Sequence, residues 1–239
     1  MKRFAVLFII LTFSVLHGQK RFSLYTGAGY GGIFTSSAGI DYFVASYNDQ
    51  RDKVITKKME SPGMFDGISL HLGTITNRVV LEFGYFNSSA KIFAEADPAK
   101  VPAGTISRRD IELKYSGIQF SIGWLFGEEV IFGGPILEFP IATFKGETTT
   151  IYGKKDDFDI DNYFGMSPGV FLMLGTPGET GAFFTAKATY TFGLGNPDWG
   201  LLYYNTQTSP DGSSGVPIQK GPFAGFTLGA SLSVSLGCL

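Results

Sequence analysis

Three residues in one short stretch have the chemical types of a hydrolytic triad. Ser69, His71 and Glu82 all lie within ISLHLGTITNRVVLEFGYF. In such a triad the histidine removes the proton of a serine hydroxyl, and a carboxylate orients the histidine. If Thr76-Asn77 forms a two-residue hairpin turn, His71 lies opposite Glu82 and Ser69 shares their face, because side chains alternate along a strand. The stretch therefore offers either an active site or a buried polar pair.

The elements that would position these residues are β-strands. Alternation of apolar and polar residues predicts eight of them, at about residues 21–33, 65–76, 78–90, 109–126, 130–145, 162–175, 181–193 and 223–237. The connections are alternately short, at 76–77, 127–129 and 176–180, and long, at 34–64, 91–108, 146–161 and 194–222. This alternation is typical of outer-membrane barrels. We therefore predict an all-β fold, an eight-stranded antiparallel transmembrane up-and-down β-barrel with short periplasmic turns and long extracellular loops.

Some segments leave the strand pattern open to a second interpretation. A ten-stranded variant, in which residues 39–47 form part of an extra hairpin, is the alternative to eight strands, and no amphipathic helix is predicted. The apolar phase slips at Ser116-Gly117 and again near Gly134-Pro135, and we interpret both places as bulges. Before the first slip, this interpretation assigns Leu113 and Tyr115 to the outer face. Pro168 lies in the middle of a strand, where it cannot donate a ladder hydrogen bond.

The N-terminal residues predict export. Residues 1–18 begin with Met1-Lys2-Arg3, continue with an apolar run and end in Gly18, the pattern of a signal peptide. Residues 19–239 are then the barrel, located in the bacterial outer membrane. The formal net charge of −2 and the absence of basic clusters give no reason to expect a nucleic-acid partner. The single cysteine excludes a disulfide framework, and no cofactor is expected.

Several motifs resemble a known family. The signal peptide, the eight strands and the three tight turns resemble the small outer-membrane β-barrels of the OmpA/OmpX type. The glycine-rich segments GAGYGG, FGGP and FGMSPGVFLML are similar to PorT-like barrels of Gram-negative bacteria. The resemblance to PorT-like barrels implies a place in a secretion apparatus, by analogy.

The charged residues expected on the inner face predict a polar plug in the lumen. An eight-stranded barrel is just wide enough for side chains to fill it, and an unpaired charge inside costs several kcal/mol. We therefore predict ion pairs or hydrogen bonds among them. The pairs are His71 with Glu82, Lys187 with Glu82 or Glu138, and Lys114 near Glu112. This interpretation of His71 is favoured over catalysis, because Ser69 and His71 both face a lumen that a lipid chain could hardly enter.

Two loop segments are candidate contact sites. The first comprises Trp199, Leu201, Leu202, Tyr203 and Tyr204, which would contact a protein or a lipid if exposed, or would pack against other loops. The second comprises Asp157, Asp159 and Asp161, a weak metal candidate whose favoured interpretation is a solvated acidic loop. Outer-membrane lipids and lipopolysaccharide are the expected partners, with other outer-membrane proteins as further candidates.

The resulting functional hypothesis is a non-enzymatic barrel that serves as a structural or accessory subunit through its loops and outer wall. The alternatives are a narrow pore, an OmpW-like transporter of small molecules and, less favoured, a lipid A-modifying enzyme. The polar lining expected for the lumen argues against a path for hydrophobic molecules. The sequence does not define the oligomeric state.

Overall fold

The computed structural model describes residues 22–149, 152–177, 179–208 and 219–238, so the expected signal peptide lies outside the described residues. These ranges contain ten strands and two helices. The strands are β1 (Phe22–Ser36), β2 (Ile55–Lys57), β3 (Met64–Thr76), β4 (Val79–Ala96), β5 (Arg108–Trp124), β6 (Phe126–Glu128), β7 (Ile131–Thr149), β8 (Lys155–Gly175), β9 (Thr180–Gly193) and β10 (Ala224–Cys238). The helices are α1 (Ala38–Gln50) and α2 (Gly200–Asn205).

Eight of the strands close into a ring. Going round the ring, the order is β1, β3, β4, β5, β7, β8, β9 and β10, each antiparallel to its neighbours, and β10 pairs again with β1. The two three-residue strands lie outside this order: β2 pairs with the end of β4, and β6 continues the pairing of β5 with β7. The prediction of an eight-stranded antiparallel up-and-down barrel is confirmed.

The two ends of the barrel differ in how the strands are joined. The start of β1, the end of β10 and the short connections between β3 and β4, β5 and β7, and β8 and β9 lie at one end, which we call the turn end. The connections between β1 and β3 and between β9 and β10, which include α1 and α2, lie at the other end, which we call the loop end, together with those between β4 and β5 and between β7 and β8. The predicted alternation of short and long connections is present except between β7 and β8. The long loop predicted at 146–161 is wrong there, because β7 continues to Thr149 and β8 begins at Lys155.

The turn between β3 and β4 differs by one residue from the prediction. It consists of Asn77 and Arg78, whose φ angles are 43° and 72°, and Thr76 pairs with Val79. Each residue of β3 consequently pairs two positions further along β4 than predicted, so His71 lies opposite Gly84 and not opposite Glu82. A shift of two residues keeps every side chain on its predicted face.

The apolar phase slips are not bulges. The pairing of β5 with β4 and β7 runs through Ser116-Gly117 in an unbroken register, and β7 pairs with β8 without a shift through Gly134-Pro135. Leu113 and Tyr115 are buried inside the barrel, whereas Ile118 and Trp124 are exposed outside. The strand itself is regular. Its apolar residues face the barrel interior near the loop end and face outward nearer the turn end, and this change produces the slip in the hydrophobic pattern.

The outer wall has two zones as a result. From the turn end it is apolar up to a rim that includes Phe34, Tyr85, Ile118, Ile141 and Phe192, all exposed. Above the rim, the outer face of β4, β5, β7 and β8 is polar and charged apart from Phe93, whose ring is covered by Lys57 and Arg108. On β10 every second residue from Phe226 to Leu236 faces outward within the apolar zone. Strands tilted by about 40°, with a rise of about 3.4 Å per residue, give the apolar zone a height of about 25 Å. We call it the apolar band.

Residues 39–47 form a helix and not the hairpin of the ten-stranded alternative. Ser37 caps α1 by accepting a hydrogen bond from the backbone N–H of Ile40 at 3.4 Å. Ile40, Phe43, Val44 and Tyr47 are spaced as one helical face, and all are buried. The expectation of no amphipathic helix is therefore wrong. Within the described ranges, no helix is long and apolar enough to cross a membrane.

Pro168 is accommodated without a change of register. It pairs with Leu137 of β7, while the pairing of β8 with β9 is interrupted between Met166 and Gly169 and resumes in the same register. Across the gap, the Ser167 and Thr191 hydroxyls form a hydrogen bond of 2.8 Å. A side-chain hydrogen bond thus joins the two strands where the proline cannot donate one.

A closed lumen as the candidate functional site

The turn end of the lumen is filled by apolar side chains. The cluster is formed by Tyr25, Ile75, Val80, Leu125, Ile136, Phe171, Met173 and Phe183, all buried. Tyr25 packs edge-on against Phe183 with ring centroids 5.2 Å apart. We call this cluster the turn-end layer. It was not predicted, because an inner face was expected to be polar along its whole length.

A group of charged residues lies above the turn-end layer. Lys187 donates from Nζ to Glu82 Oε1 at 2.6 Å and to Glu138 Oε1 at 3.2 Å. Glu82 and Glu138 are 5% and 4% exposed. The pairing of Lys187 with both carboxylates is the arrangement that desolvation demands, because two charges removed from water must find partners. We call this group the charge layer.

Hydroxyl groups complete the charge layer. Tyr25 donates to Glu82 Oε2 at 2.8 Å, and Thr189 donates to Glu138 Oε2 at 3.4 Å. Ser121 donates to Glu138 Oε1 at 3.5 Å. Each buried carboxylate is therefore held by the lysine and by neutral donors from other strands. The charge layer cross-links strands on opposite sides of the barrel.

His71 lies in the lumen but pairs with a residue that was not predicted. Its Nε2 is 2.9 Å from Ser233 Oγ of β10, and its ring lies edge-on to Tyr25 at 6.0 Å. The direct pair of His71 with Glu82 is wrong, because the shifted turn moves Glu82 opposite Gly73. Ser69, the predicted nucleophile of the alternative triad, is likewise not the histidine's hydrogen-bond partner. The three residues are thus not assembled as a triad.

A cavity of about 130 Å³ adjoins the charge layer. Its lining includes Glu82, Glu138 and Lys187 of that layer, and Ser69, His71, Gln119, Thr189, Thr191 and Ser231 among others. The cavity has the room and the hydrogen-bonding partners that an ordered water requires. The cavity is bounded above by Ile33, Phe86 and Tyr115.

The loop end of the lumen is sealed by an aromatic core. Phe223 has its ring centroid 4.7 Å from Phe144, 5.3 Å from Tyr115 and 5.4 Å from Tyr163. Trp199 packs against Phe144 in a tilted arrangement with ring centroids 5.1 Å apart, and the buried face of α1 packs into the same cluster. We call this cluster the loop-end core. Strands β4, β5, β7 and β8 surround it above the apolar band.

The predicted contact segment mostly belongs to this core. Trp199, Leu202 and Tyr203 are fully buried, and the Tyr203 hydroxyl donates to the Gly39 carbonyl at 3.4 Å. Burial raises the pKa of the Tyr203 hydroxyl well above its usual range. Leu201 and Tyr204 are the exposed members. The expectation of a fully exposed aromatic surface is therefore wrong, and the alternative that the loops pack together describes most of the segment.

Glu112 and Lys114 lie on the outer face and not in the lumen. Lys114 donates to Glu147 Oε2 at 3.0 Å, and Lys91 forms an ion pair with Glu112 at 3.8 Å. Their placement in the lumen is wrong because it followed from assigning Leu113 and Tyr115 to the outside. Hydrogen bonds from Lys155 and Lys114 lower the pKa of Glu147 to about 2. Together with Lys145 and Asp159, these residues form a charged belt above the apolar band.

The three aspartates of the weak metal candidate lie on β8 and are used separately. Asp159 pairs with Lys145 at 3.2 Å, whereas Asp161 accepts the backbone N–H of Asp198 at 2.7 Å and so fixes the loop before α2. Asp157 lies opposite Glu147 in the register of β7 and β8. In the parts of the chain that the structure describes, no three His, Cys, Asp or Glu residues are grouped to hold a metal ion.

Comparison with known proteins finds distant structural similarity alone. No family model and no curated protein matches the chain. Neisserial surface protein A (NspA) is 12% identical with a TM-score of 0.43, over 89% of this chain and 96% of that one. Ail, the attachment invasion locus protein of Yersinia pestis, solved in complex with the heparin analogue sucrose octasulfate, is 11% identical with a TM-score of 0.42, over 90% of this chain and 99% of that one. Similarity of this degree identifies neither the family nor the function of the chain.

The sequence analysis did not predict several of the contacts that fill the lumen. Tyr25 and Ser233 are on inner faces that the alternation of β1 and β10 already indicates, and their polar atoms made them available to Glu82 and His71. Phe223 and Phe144 gave no such signal, because an inward aromatic residue is not expected in a polar lumen. Chemically, the interior holds packed or paired side chains at three heights, in the turn-end layer, the charge layer and the loop-end core.

Proposed function

We propose that this protein is a non-enzymatic outer-membrane β-barrel of a Gram-negative bacterium that acts as a structural or accessory subunit. The apolar band supports its place in a membrane, since its height of about 25 Å suits the hydrocarbon core of an outer membrane. A closed ring also satisfies the hydrogen bonds of every wall strand, which lipid requires. The turn end would face the periplasm and the loop end the exterior.

The observation that carries the proposed role is the filled lumen. The turn-end layer, the charge layer and the loop-end core follow one another along the barrel axis. In a barrel filled in this way, the outer wall and the loop-end surface are available for binding. The interior side chains make the barrel rigid. This favours a subunit that presents a fixed surface over a narrow pore.

The two alternatives find less support. A transporter of small hydrophobic molecules would need an apolar path, whereas the middle of this lumen holds the charge layer, and Glu82, Glu138 and Lys187 line the cavity there. A lipid-modifying enzyme would need a nucleophile open to lipid, whereas His71 and its partner Ser233 face inward. Membership of the PorT-like barrels and a place in a secretion apparatus remain part of the proposal by resemblance.

Outer-membrane lipids are the proposed immediate partners. Lys91, Lys114 and Lys145 lie in the charged belt directly above the apolar band, at the height where phosphate groups of lipopolysaccharide would be found. Glu112 and Asp159 in the same belt would meet those phosphates through divalent cations. Other outer-membrane proteins would bind the wall or the loop-end surface.

Mild-detergent extraction of the tagged protein from native outer membranes tests the subunit role. We expect another membrane protein to co-purify at a fixed ratio, and a Leu201→Ser/Tyr204→Ser variant to reduce that ratio if the partner binds the loop end. A Leu232→Ala variant, altered on the lipid-facing wall, reports on binding to the barrel side instead. Recovery of the barrel alone from both gentle and harsh extraction would contradict the subunit role.

A further inference from the structure

Two arginines at the loop end donate hydrogen bonds to neutral acceptors and to no carboxylate. Arg51, which follows α1, donates from Nη2 to the carbonyls of Thr206 at 3.3 Å and Gln207 at 2.8 Å. Arg109 of β5 donates from Nη2 to the carbonyl of Asn205 at 3.1 Å. The two guanidinium groups thus bind three successive carbonyls at the end of α2. Within the described ranges, neither forms an ion pair.

One nitrogen of this pair is left unsatisfied. Arg51 Nη1 is buried and has no hydrogen-bond partner among the described residues. The nearby Glu95 carboxylate is already engaged by Arg108 at 3.3 Å. A buried donor without an acceptor costs free energy, more so when it carries a positive charge. The arrangement therefore has an excess of positive charge and a free donor.

A cavity lies beside these groups. Its volume is about 190 Å³, and its lining includes three arginines and one carboxylate, Arg51, Arg108, Arg109 and Glu95, with Ala96 and Gln207 beside them. Burial lowers the pKa of Arg51 and of Arg109. The charge of Arg51 lowers the pKa of Arg109 further, while Tyr47 and Asp156 act in the opposite direction without offsetting the burial. An anion in the cavity would accept a hydrogen bond from the unpaired Arg51 Nη1. It would also neutralise the repulsion between the two guanidinium groups.

We propose that this cavity binds a small oxyanion, a phosphate, sulfate or carboxylate group, between Arg51 and Arg109. Guanidinium groups match such oxygens in pairs, and a charge-assisted hydrogen bond is about twice as strong as a neutral one. Tyr47 stacks below the Arg51 guanidinium at 4.1 Å and holds its plane in place. The site lies at the loop end. In the orientation proposed above this end faces the exterior, so the ligand comes from the medium or from a molecule that carries such a group on its surface.

The test uses the folded chain in detergent micelles, with thermal unfolding followed by the fluorescence of Trp199 in a Trp124→Phe background. Sodium phosphate, sodium sulfate and sodium acetate are titrated against sodium chloride at constant ionic strength. We expect a saturable rise in the unfolding temperature for at least one oxyanion. Arg51→Gln and Arg109→Gln should weaken its binding roughly tenfold or more, as the loss of one charge-assisted hydrogen bond implies.

Two controls separate binding from folding. Ala96→Leu fills the cavity and leaves both arginines and their carbonyl partners in place, so it should abolish the saturable response in a chain that still folds. Arg78→Gln removes a positive charge at the turn end and should leave the response unchanged. A response equal in the parent and the Ala96→Leu variant, or no response beyond that of chloride, would overturn the site.

A second arm identifies the source of the group. Glucose 6-phosphate is compared with inorganic phosphate in the same assay. Tighter binding of the sugar phosphate would support the site and identify its ligand as a group on a larger glycan, whereas tighter binding of inorganic phosphate would support it as a site for the free ion. Failure of both together with sulfate and acetate contradicts the proposal and leaves the proposed subunit role untouched.

Discussion

Lys187 carries the positive charge that two buried carboxylates share. Replacing it with Met should lower the free energy of unfolding by about 3–5 kcal/mol, because Glu82 and Glu138 then remain buried with no cation between them. Urea unfolding in micelles, followed by tryptophan fluorescence, measures the change.

Matched variants isolate the cause of this loss. Lys145→Met removes an exposed lysine paired with the exposed Asp159 and should change stability by less than about 1 kcal/mol. Adding Glu82→Gln to Lys187→Met should recover part of the loss, because one uncompensated charge disappears. Equal effects of Lys187→Met and Lys145→Met would contradict the importance of burial.

Glu147 should stay ionised at unusually low pH. Its folded-state pKa of about 2 lies below its ordinary value of 4.5, so its hydrogen bonds stabilise the loop end fully above pH 4.5. That contribution is lost as the pH falls from 4.5 through 2. Infrared titration of the carboxylate band, with Glu147→Gln to assign it, should give a midpoint near 2, and Lys155→Met should move the midpoint upward. A midpoint that Lys155→Met leaves unchanged would be inconsistent with the ion pair.

At the scale of elements, the turn between β3 and β4 has a residue ill suited to its backbone. Arg78 has a φ of 72°, a conformation that costs about 1 kcal/mol or more for a residue with a Cβ. Arg78→Gly should therefore raise the free energy of unfolding by about 1 kcal/mol, since Asn-Gly is the preferred pair for this turn type. Arg78→Ala removes the same charge but keeps the Cβ, and should give no such gain in the same urea experiment.

The loop-end core should unfold before the barrel. Phe223→Ala removes a ring that contacts Tyr115, Phe144 and Tyr163, and should destabilise the core by about 3–5 kcal/mol. Limited proteolysis should then cut the connection between β9 and β10 while the ring of strands stays intact. Simultaneous loss of the loops and of the barrel strands would contradict a separately stabilised core.

The strands were predictable from sequence and the side each residue faces was predictable in part. Period-two alternation locates β5, but it says only that Leu113 and Tyr115 share a face. Which face carries the apolar side chains depends on the position along the barrel axis. At the level of the apolar band they point outward, and above the band they point inward to the loop-end core. Lys114 was assigned to the lumen for this reason. The helix α1 was missed although Ile40, Phe43, Val44 and Tyr47 have helical spacing. The same segment is rich in β-branched and aromatic residues, which also favour a strand.

At the scale of the whole molecule, the ring followed from the number of strands and the alternation of their connections. The three successive layers that fill the lumen followed only in part. The pairing of Lys187 with Glu82 and Glu138 was predicted, but the turn-end layer and the loop-end core were not, because they depend on which inward residues meet at the same height across the barrel. Similarly, Trp199 reaches Phe144 because the long connection before β10 folds back into the barrel mouth.

The central claim is that these layers close the lumen, and single-channel recording in planar bilayers tests it most directly. The parent chain should give no unitary current at either polarity. Phe223→Ala alone should also give none, because the charge layer and the turn-end layer still close the barrel. Combined with Lys187→Ala and Phe183→Ala, which open those two layers, it should give small, noisy currents. Steady ohmic unitary currents from the parent chain would contradict the closed lumen and favour a pore.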